Sequence, residues 1–206
     1  MKRSRSSNAW LREHVSDSYV QRAKAEGYRS RAAYKLLQID DREHLIRPGD
    51  LVVDLGASPG GWSQVVAKRQ QGRGQVIAVD ILPMEPLPGV VFLPGDFRET
   101  EVLDRLRGLL KQERAGLVLC DMSPNISGIS LCDQAQGMHL SELALDFASQ
   151  WLQPEGCLLV KVFQGLGFDD FFVRMRQTFR RVCLRKPDAS RDRSREVYLL
   201  GRGLQA

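Results

Sequence analysis

Short apolar runs alternate with longer segments of mixed polarity from residue 51 onward. The runs occupy 51–55, 76–79, 90–93, 117–120 and 157–163. Runs of this length, rich in Val and Leu, are typical of strands buried on both faces of a sheet. The segments 61–70, 99–113, 135–152 and 168–179 predict helices, and 180–185 and 196–200 predict two final strands. The alternation predicts an α/β fold with a mostly parallel sheet and helices on both of its faces.

The region before the first strand has a different pattern. Tyr34, Leu37 and Leu45 recur on a broken helical stripe, so we predict helix across 17–45. A chain of 206 residues suits one domain. We therefore expect a single domain over 1–206, made of a basic N-terminal extension and helix at 1–46 and a core at 47–206 that contains the sheet.

Composition narrows the class of protein. Apolar residues make up 43% of the chain and charged residues 27%, which excludes a disordered or fibrous chain. No apolar run approaches the roughly 20 residues of a spanning helix, and no secretory signal is evident. The four cysteines form no CxxC pair and the three histidines are scattered, so we predict no metal site and a reducing, cytoplasmic location.

Charge is distributed unevenly along the chain. Residues 1–35 carry a net charge of +6 and residues 174–206 a net charge of +7, whereas 36–173 carry −8. One interpretation is two solvated basic termini; the other is a clamp in which Lys and Arg neutralise the phosphates of a nucleic acid. The candidate residues for binding such a nucleic acid are Arg31, Lys186, Arg191, Arg193 and Arg195.

A glycine-rich turn, DLGASPGGWS at 54–63, directly follows the first strand. A dinucleotide-binding turn requires G-x-G-x-x-G, whereas here Pro59 removes an amide donor, which argues against a pyrophosphate cradle. D-x-G-x-x-P-G-G instead resembles the first motif of S-adenosylmethionine-dependent methyltransferases. Asp80 and Asp96 follow the second and third strands, where carboxylates can bind ribose hydroxyls and an adenine amino group. Taken singly, each acid is also compatible with a helix cap or a loop.

A lysine interrupts the fifth apolar run. Burying Lys161 as a charge is costly, so either it reaches solvent from a strand end or its burial makes it a usable base. Asp121 ends the fourth strand and Glu196 begins the last one. Lys35 lies on the N-terminal helix, where a lone lysine is most often a surface residue.

The motifs together identify a family. SRAAYKL, VVDLGASPGGWSQ, GDFR, DMSPNISG, VKVFQG and REVY resemble the FtsJ-type ribosomal RNA 2′-O-methyltransferases over nearly the whole chain. The resemblance implies a seven-stranded, Rossmann-like S-adenosylmethionine-dependent fold and a monomer. It also implies a catalytic set and a cofactor set: Lys35, Asp121, Lys161 and Glu196 for catalysis, and Gly60, Trp62, Asp80, Asp96 and Asp121 for the cofactor.

The same resemblance implies the reaction. We expect methylation of a uridine ribose in large-subunit (23S) ribosomal RNA, on the assembled or assembling large subunit. Three alternatives remain open from the residues: 2′-O-methylation of transfer RNA, a ribosome assembly factor that binds RNA without catalysis, and a nucleotide-dependent oxidoreductase. The four catalytic residue types argue against the second alternative, and the missing G-x-G-x-x-G argues against the third.

Overall fold

The computed structural model describes residues 17–124, 130–191 and 193–205. These residues form one seven-stranded sheet with helices on both faces, which confirms the predicted fold class. The strands are β1 Leu51–Leu55, β2 Gln75–Asp80, β3 Val90–Pro94, β4 Ala115–Cys120, β5 Leu152–Phe163, β6 Phe179–Arg185 and β7 Glu196–Leu204. The helices are α1 Ser18–Glu26, α2 Ala33–Glu43, α3 Gly61–Gln70, α4 Thr100–Leu110, α5 Ser130–Trp151 and α6 Phe168–Thr178.

The prediction of continuous helix across 17–45 is wrong, because two helices occupy this segment. Gly27 ends α1 with φ of +72°, and its N–H points to the carbonyls of Ala23 and Lys24. Glycine adopts this left-handed conformation without steric cost, so the chain turns here before α2 begins. The turn brings the loop before α2 onto the glycine-rich turn, where Arg29 Nη1 donates to the Pro59 carbonyl at 3.2 Å.

The order of strands creates a place for a ligand. The sheet runs β3-β2-β1-β4-β5-β7-β6, with the first five strands parallel and β7 antiparallel to both neighbours. The chain therefore moves outward from β1 to β3 and returns to add β4 on the other side of β1. Ligands of open α/β sheets bind outside the carboxyl ends of the strands at such a switch point.

Alternate side chains of the central strands enter two separate cores. Val53, Val118 and Val160 pack with α4, α5 and α6 on one face of the sheet. Val52 and Leu159 pack with α2 and α3 on the other. Burial of each such side chain stabilises the folded state by about 1.5–3 kcal/mol. The packing of α2 against the sheet therefore gives the residues of α2 fixed positions.

The described ranges contain neither a membrane-spanning helix nor a cluster of metal ligands. Within 17–124, 130–191 and 193–205, no helix is long and apolar enough to cross a membrane. Across the same residues, no group of three or more His, Cys, Asp or Glu side chains is arranged to hold a metal ion.

Candidate active site

A cleft of about 410 Å³ opens at the carboxyl ends of β1, β2, β3 and β4. This volume is within the range of about 300–1,000 Å³ that is typical of small-molecule sites. Three of its polar lining residues were predicted from the sequence: Asp80, Asp96 and Asp121. The cleft is also lined by Gly56, Ser58, Ile81, Leu82, Arg98, Ser123 and His139. The predicted acids of consecutive strand ends therefore share one cleft.

The glycine-rich turn needs glycine for close approach. Gly56 has φ of +78°, and a Cβ there would lie 2.5 Å from Met122 Cγ and 2.9 Å from Met122 Cα. Gly60 has φ of +102°, and its Cβ would lie 2.8 Å from Arg29 Nη1. A side chain at Gly56 would displace the segment after β4, and the left-handed φ of Gly60 would be strained for any other residue, so both positions require glycine.

Asp80 is held rigidly at the edge of the cleft. Its Oδ2 accepts a hydrogen bond from the Ser58 N–H and its Oδ1 accepts one from the Leu82 N–H, each at 2.8 Å. Each carboxylate oxygen can accept a further bond, since an ionised carboxylate has about four acceptor sites. Asp80 therefore presents two fixed acceptor oxygens to a ligand.

Asp96 is paired within the chain. The Arg98 guanidinium donates to Asp96 Oδ1 through Nε at 2.9 Å and to Oδ2 through Nη2 at 2.5 Å. The hydrogen bond from this guanidinium is the main reason that the pKa of Asp96 is below its ordinary value. Arg98 lines the same cleft, so the cleft wall here is an ion pair rather than a lone acid.

The side chain of Trp62 lies away from the cleft. It is 3% exposed, its Nε1–H donates to the Ala32 carbonyl at 2.7 Å, and its ring lies 5.7 Å from that of Tyr198. Neither Gly60 nor Trp62 is among the described residues that line the cleft. The indole instead connects α3 to the start of α2 beneath the catalytic candidates.

Lys161 is buried, and its ammonium group has three acceptors. It is 5% exposed and lies 2.6 Å from the Asp121 carbonyl, 2.5 Å from Ser123 Oγ and 3.1 Å from Asp121 Oδ1. An ammonium group has three N–H donors, so the three acceptors match its full hydrogen-bonding capacity. The lysine does not reach solvent from the strand end, which removes the alternative of a solvated side chain.

Lys35 and Glu196 form the second ion pair of the site. Lys35 Nζ lies 2.6 Å from Glu196 Oε1, and both side chains are largely buried. The same oxygen accepts a hydrogen bond from Ser190 Oγ at 2.9 Å. Lys35 is therefore part of a buried polar network, unlike the surface lysine that its sequence context alone suggests.

Tyr198, which was not predicted from the sequence, connects the two ion pairs. Its hydroxyl donates to Asp121 Oδ1 at 2.9 Å and lies 3.2 Å from Glu196 Oε1. On β7 it stands two residues from Glu196, hence on the same face, and it is the register partner of Lys161 on β5. The sequence does contain a signal for this residue: Glu196 and Tyr198 are two positions apart on a predicted strand, and residues with that spacing lie on the same face of a sheet.

The pKa values of the buried groups follow from these contacts. Burial raises the pKa of Asp121, but the charges of Lys161 and Lys35 and the bond from Tyr198 lower it below its ordinary value overall. Burial, then the charges of Asp121 and Glu196, raise the pKa of Tyr198 well above its ordinary value. Asp121 is thus an anion and Tyr198 a neutral donor at pH 7.

Asp54 is a further buried acid, below the glycine-rich turn. Burial raises its pKa to about 7, although Ser63 Oγ donates to its Oδ2 at 2.7 Å. Within the described part of the chain, its Oδ1 has no hydrogen-bond partner. Among the described residues, Asp54 is not part of the cleft lining and has no hydrogen bond to the catalytic candidates.

Strand alternation explains why the four candidates converge. Leu117 and Leu119 of β4 enter the core beneath α2, and Asp121 continues that alternation. Leu159 and Lys161 are related in the same way on β5. Because β7 runs antiparallel to β5, the start of β7 at Glu196 lies beside the end of β5, close to Lys161. Lys35 then reaches this end from α2, which covers the same face.

A second cleft, of about 490 Å³, lies on the other side of the four residues. Lys35 and Glu196 line this cleft, whereas Asp121 lines the first one. The remaining lining residues are Arg31, Ala32, Ala189, Arg191, Arg193 and Ser194. The two ion pairs therefore separate an acidic cleft at the strand ends from a basic cleft formed by both ends of the chain.

The five predicted RNA-binding residues are not equivalent. Arg31, Arg191 and Arg193 line the basic cleft, but Arg31 forms an ion pair with Asp17 and donates to the Ala189 carbonyl at 2.6 Å. Lys186 is exposed, and its Nζ donates to the Ser194 carbonyl at 2.8 Å. Arg195 has an exposed side chain. Arg31 thus also holds the start of α2 against the loop at 187–191.

The strand order, the cleft at the switch point and the buried Lys–Asp pair define an α/β methyltransferase. The FtsJ-like methyltransferase family model matches residues 28–204, and the chain belongs to this family. Family membership confirms the prediction of an enzyme that transfers methyl groups with S-adenosylmethionine as its cofactor.

Relatives and solved structures agree with this assignment. The chain is 60% identical to ribosomal RNA large subunit methyltransferase E of Nitrosospira multiformis, over 98% of each chain, and 58% identical to that of Dechloromonas aromatica, over 100% of each. It resembles the structure of a ribosomal RNA methyltransferase from Plasmodium falciparum with a TM-score of 0.77 and 26% identity, over 86% of this chain and 98% of that one. A Streptococcus mutans methyltransferase solved with SAH, 12% identical with a TM-score of 0.51 over 84% of this chain and 96% of that one, shares the fold alone.

Proposed function

We propose that the protein transfers a methyl group from S-adenosylmethionine to the 2′-hydroxyl of a uridine ribose in large-subunit ribosomal RNA, within the assembled or assembling subunit. The observation that carries the proposal is the position of the two ion pairs between an acidic cleft and a basic cleft. A methyl donor and a polyanionic acceptor bound in separate clefts would meet at these residues. The names of the 60% and 58% identical relatives support ribosomal RNA as the acceptor.

The first cleft fits the cofactor. S-adenosylmethionine, when bound, supplies an electrophilic methyl group on a positively charged sulfonium. Asp80 presents fixed oxygens suited to ribose hydroxyls, and Asp96 presents a carboxylate suited to an amino group. The cleft lacks the features of a pyrophosphate site, because its lining acids would repel phosphate and Pro59 provides no amide donor. We propose that Asp121 also faces the cofactor, since its carboxylate favours a nearby cation.

The second cleft fits RNA. Arg31, Arg191 and Arg193 on its walls suit phosphate oxygens, and such contacts position a strand without reading its bases. We propose that Lys186 and the exposed Arg195 extend this surface. A 2′-hydroxyl becomes accessible where RNA is unpaired or through its shallow minor groove. A strand bound to this basic surface would direct such a hydroxyl toward Lys35 and Lys161.

Lys161 is the proposed base. Methyl transfer is an in-line displacement, so holding the hydroxyl oxygen in line with the methyl group supplies much of the acceleration. The Lys161 amine accepts the hydroxyl proton, and Asp121 fixes the amine through the bond at 3.1 Å. Lys35 and Glu196 hold the ribose side of the site.

The test is methyl transfer from labelled S-adenosylmethionine to large ribosomal subunits from a strain that lacks this protein. Naked ribosomal RNA and transfer RNA serve as competing substrates, with Lys161→Ala and Lys161→Arg as variants. We expect label on a uridine 2′-oxygen of the subunit RNA, and loss of about 10²–10⁴-fold in rate on removal of the base. Label mainly on transfer RNA would overturn the acceptor, and cofactor binding without transfer to any RNA would overturn the enzyme.

A further inference from the structure

Ser123 contacts the catalytic lysine and the proposed methyl-donor cleft at once. Its Oγ lies 2.5 Å from Lys161 Nζ, and the residue lines the first cleft. In the proposed reaction, the attacking hydroxyl oxygen must satisfy the same two conditions: contact with Lys161 and contact with the space that holds the methyl group. A hydroxyl oxygen of the protein therefore already lies where the reaction requires a hydroxyl oxygen of the substrate.

The other two partners of Lys161 are held more firmly. The Asp121 carbonyl belongs to the segment directly after β4, and the Asp121 carboxylate is negatively charged and fixed by Tyr198. Ser123 is exposed and neutral, and its hydroxyl rotates about a single bond. Since all three donors of the ammonium are directed at protein atoms, a substrate hydroxyl can reach Lys161 only when one partner is released. Ser123 is the partner released at least cost.

We propose that Ser123 Oγ occupies the position of the substrate 2′-hydroxyl in the RNA-free enzyme, holds Lys161 as an ammonium donor, and is displaced when RNA binds. This inference rests on the proposed function, because it assigns a role relative to its acceptor hydroxyl. Ser123 is a positioning residue here and does not take part in the methyl transfer. Binding of RNA then removes an acceptor that stabilises the ammonium form, which assists loss of the Lys161 proton to water and leaves a neutral amine to accept the proton of the 2′-hydroxyl.

Other groups around Lys161 remain the same in this exchange. The charged and titratable groups tied to it by contact, charge or register are Asp121 and Cys120 at the end of β4 and Tyr198 of β7, and the Lys35–Glu196 ion pair lies beyond Tyr198. The Phe163 ring lies 5.9 Å from Nζ, and Ser141 of α5 donates to the Lys161 carbonyl. A substitution at Ser123 removes none of these groups, so its effect on proton loss is attributable to the lost hydroxyl.

The experiment compares the pH dependence of kcat/KM for large ribosomal subunits with that of kcat. The first reports ionisations of the free enzyme and the second those of the substrate complex. For Ser123→Ala we expect the acid limb of kcat/KM to move to lower pH by about one unit, because a hydrogen bond to the ammonium is lost. The acid limb of kcat should stay in place, because in the complex RNA has already displaced the hydroxyl.

Two variants control the measurement. Ser123→Thr keeps a hydroxyl and should retain the profile of the wild type. Ser149→Ala removes a serine near the far end of α5, whose hydroxyl bonds only to the Asp146 carbonyl of its own helix among the described residues, and should change neither limb. Affinity for S-adenosylhomocysteine confirms that each variant is folded.

The outcomes separate this inference from the proposed function. If the wild type methylates the subunits but the acid limbs of kcat/KM and kcat move together in Ser123→Ala, the role of Ser123 is overturned. The same holds if both limbs stay in place. Absence of methyl transfer by the wild type itself would instead overturn the proposed function.

Discussion

The hydroxyl of Tyr198 lies 2.9 Å from Asp121 Oδ1 and donates a hydrogen bond to it. Because the pKa of Tyr198 is raised well above its ordinary value, first by burial and then by the charges of Asp121 and Glu196, it stays a donor throughout the physiological pH range. It also fixes the carboxylate that holds Lys161. The tyrosine therefore makes one buried network out of two ion pairs that come from separate elements.

Tyr198→Phe should lower kcat by about ten- to a hundredfold, because a hydrogen bond to a charged group contributes about 1.5–3 kcal/mol. The ring and its packing against Trp62 are retained, so affinity for S-adenosylhomocysteine should remain within twofold. Steady-state methylation and calorimetric binding of S-adenosylhomocysteine measure the two quantities. A raised KM with kcat unchanged would show that the hydroxyl acts on substrate binding instead.

Arg29→Ala should weaken cofactor binding about tenfold. The Arg29 guanidinium donates to the carbonyls of Pro59 at 3.2 Å, Glu85 at 2.7 Å and Pro86 at 2.8 Å. It thereby joins the glycine-rich turn to the loop after β2, and loss of several bonds of about 0.5–1.5 kcal/mol each loosens one wall of the cleft. Calorimetric titration with S-adenosylhomocysteine measures the effect.

The matched control is Arg107→Ala, which removes an exposed arginine paired with Asp104 on α4. Such surface pairs contribute about 0–1 kcal/mol, so this variant should bind like the wild type. Equal affinities for the Arg29 and Arg107 variants would contradict the role assigned to Arg29.

Glu43→Gln should reduce stability by about 2 kcal/mol at pH 7, since Glu43 accepts bonds from both Arg185 and Arg202. Burial opposes the shift, but these two arginines lower the pKa of Glu43 below its ordinary value of 4.5. A lowered folded-state pKa gives a contribution present above pH 4.5 and lost as pH falls through the folded value. Urea unfolding should therefore show a gap between wild type and variant at pH 7 that narrows by pH 3. A gap of constant size would mean that the charge of Glu43 is unimportant.

Arg193→Ala and Arg195→Ala should each reduce the salt dependence of RNA binding. Removal of one phosphate contact lowers the slope of log K against log salt by about 0.7–0.9. Filter binding to large-subunit RNA over a series of salt concentrations measures the slope. Arg105→Ala on α4, an exposed arginine outside both clefts, is the control. An Arg193 or Arg195 variant with the slope of the control would place RNA elsewhere on the protein.

The parts of this protein that periodicity and local motifs encode were predictable. The strand runs, the glycine-rich turn and the acids at strand ends were all located correctly, because each depends on neighbours close in sequence. The break at Gly27 was missed, since the stripe of Tyr34 and Leu37 continues the apolar pattern and hides a left-handed residue. Lys35 entered the candidate site only through a family resemblance, because nothing local distinguishes it from a surface lysine.

The sequence by itself determined the alternation that sends Asp121 and Lys161 to one end of the sheet, and the charge pattern that makes both chain ends basic. Only the tertiary structure decided that Asp121 and Lys161 lie together with Lys35 and Glu196 between the two clefts. It also decided that Tyr198 joins the two ion pairs and that Ser123 takes the third donor of Lys161. The physical reason is that hydrogen bonds and ion pairs depend on distances between elements, which are set by how helices pack on the sheet and are absent from any local pattern.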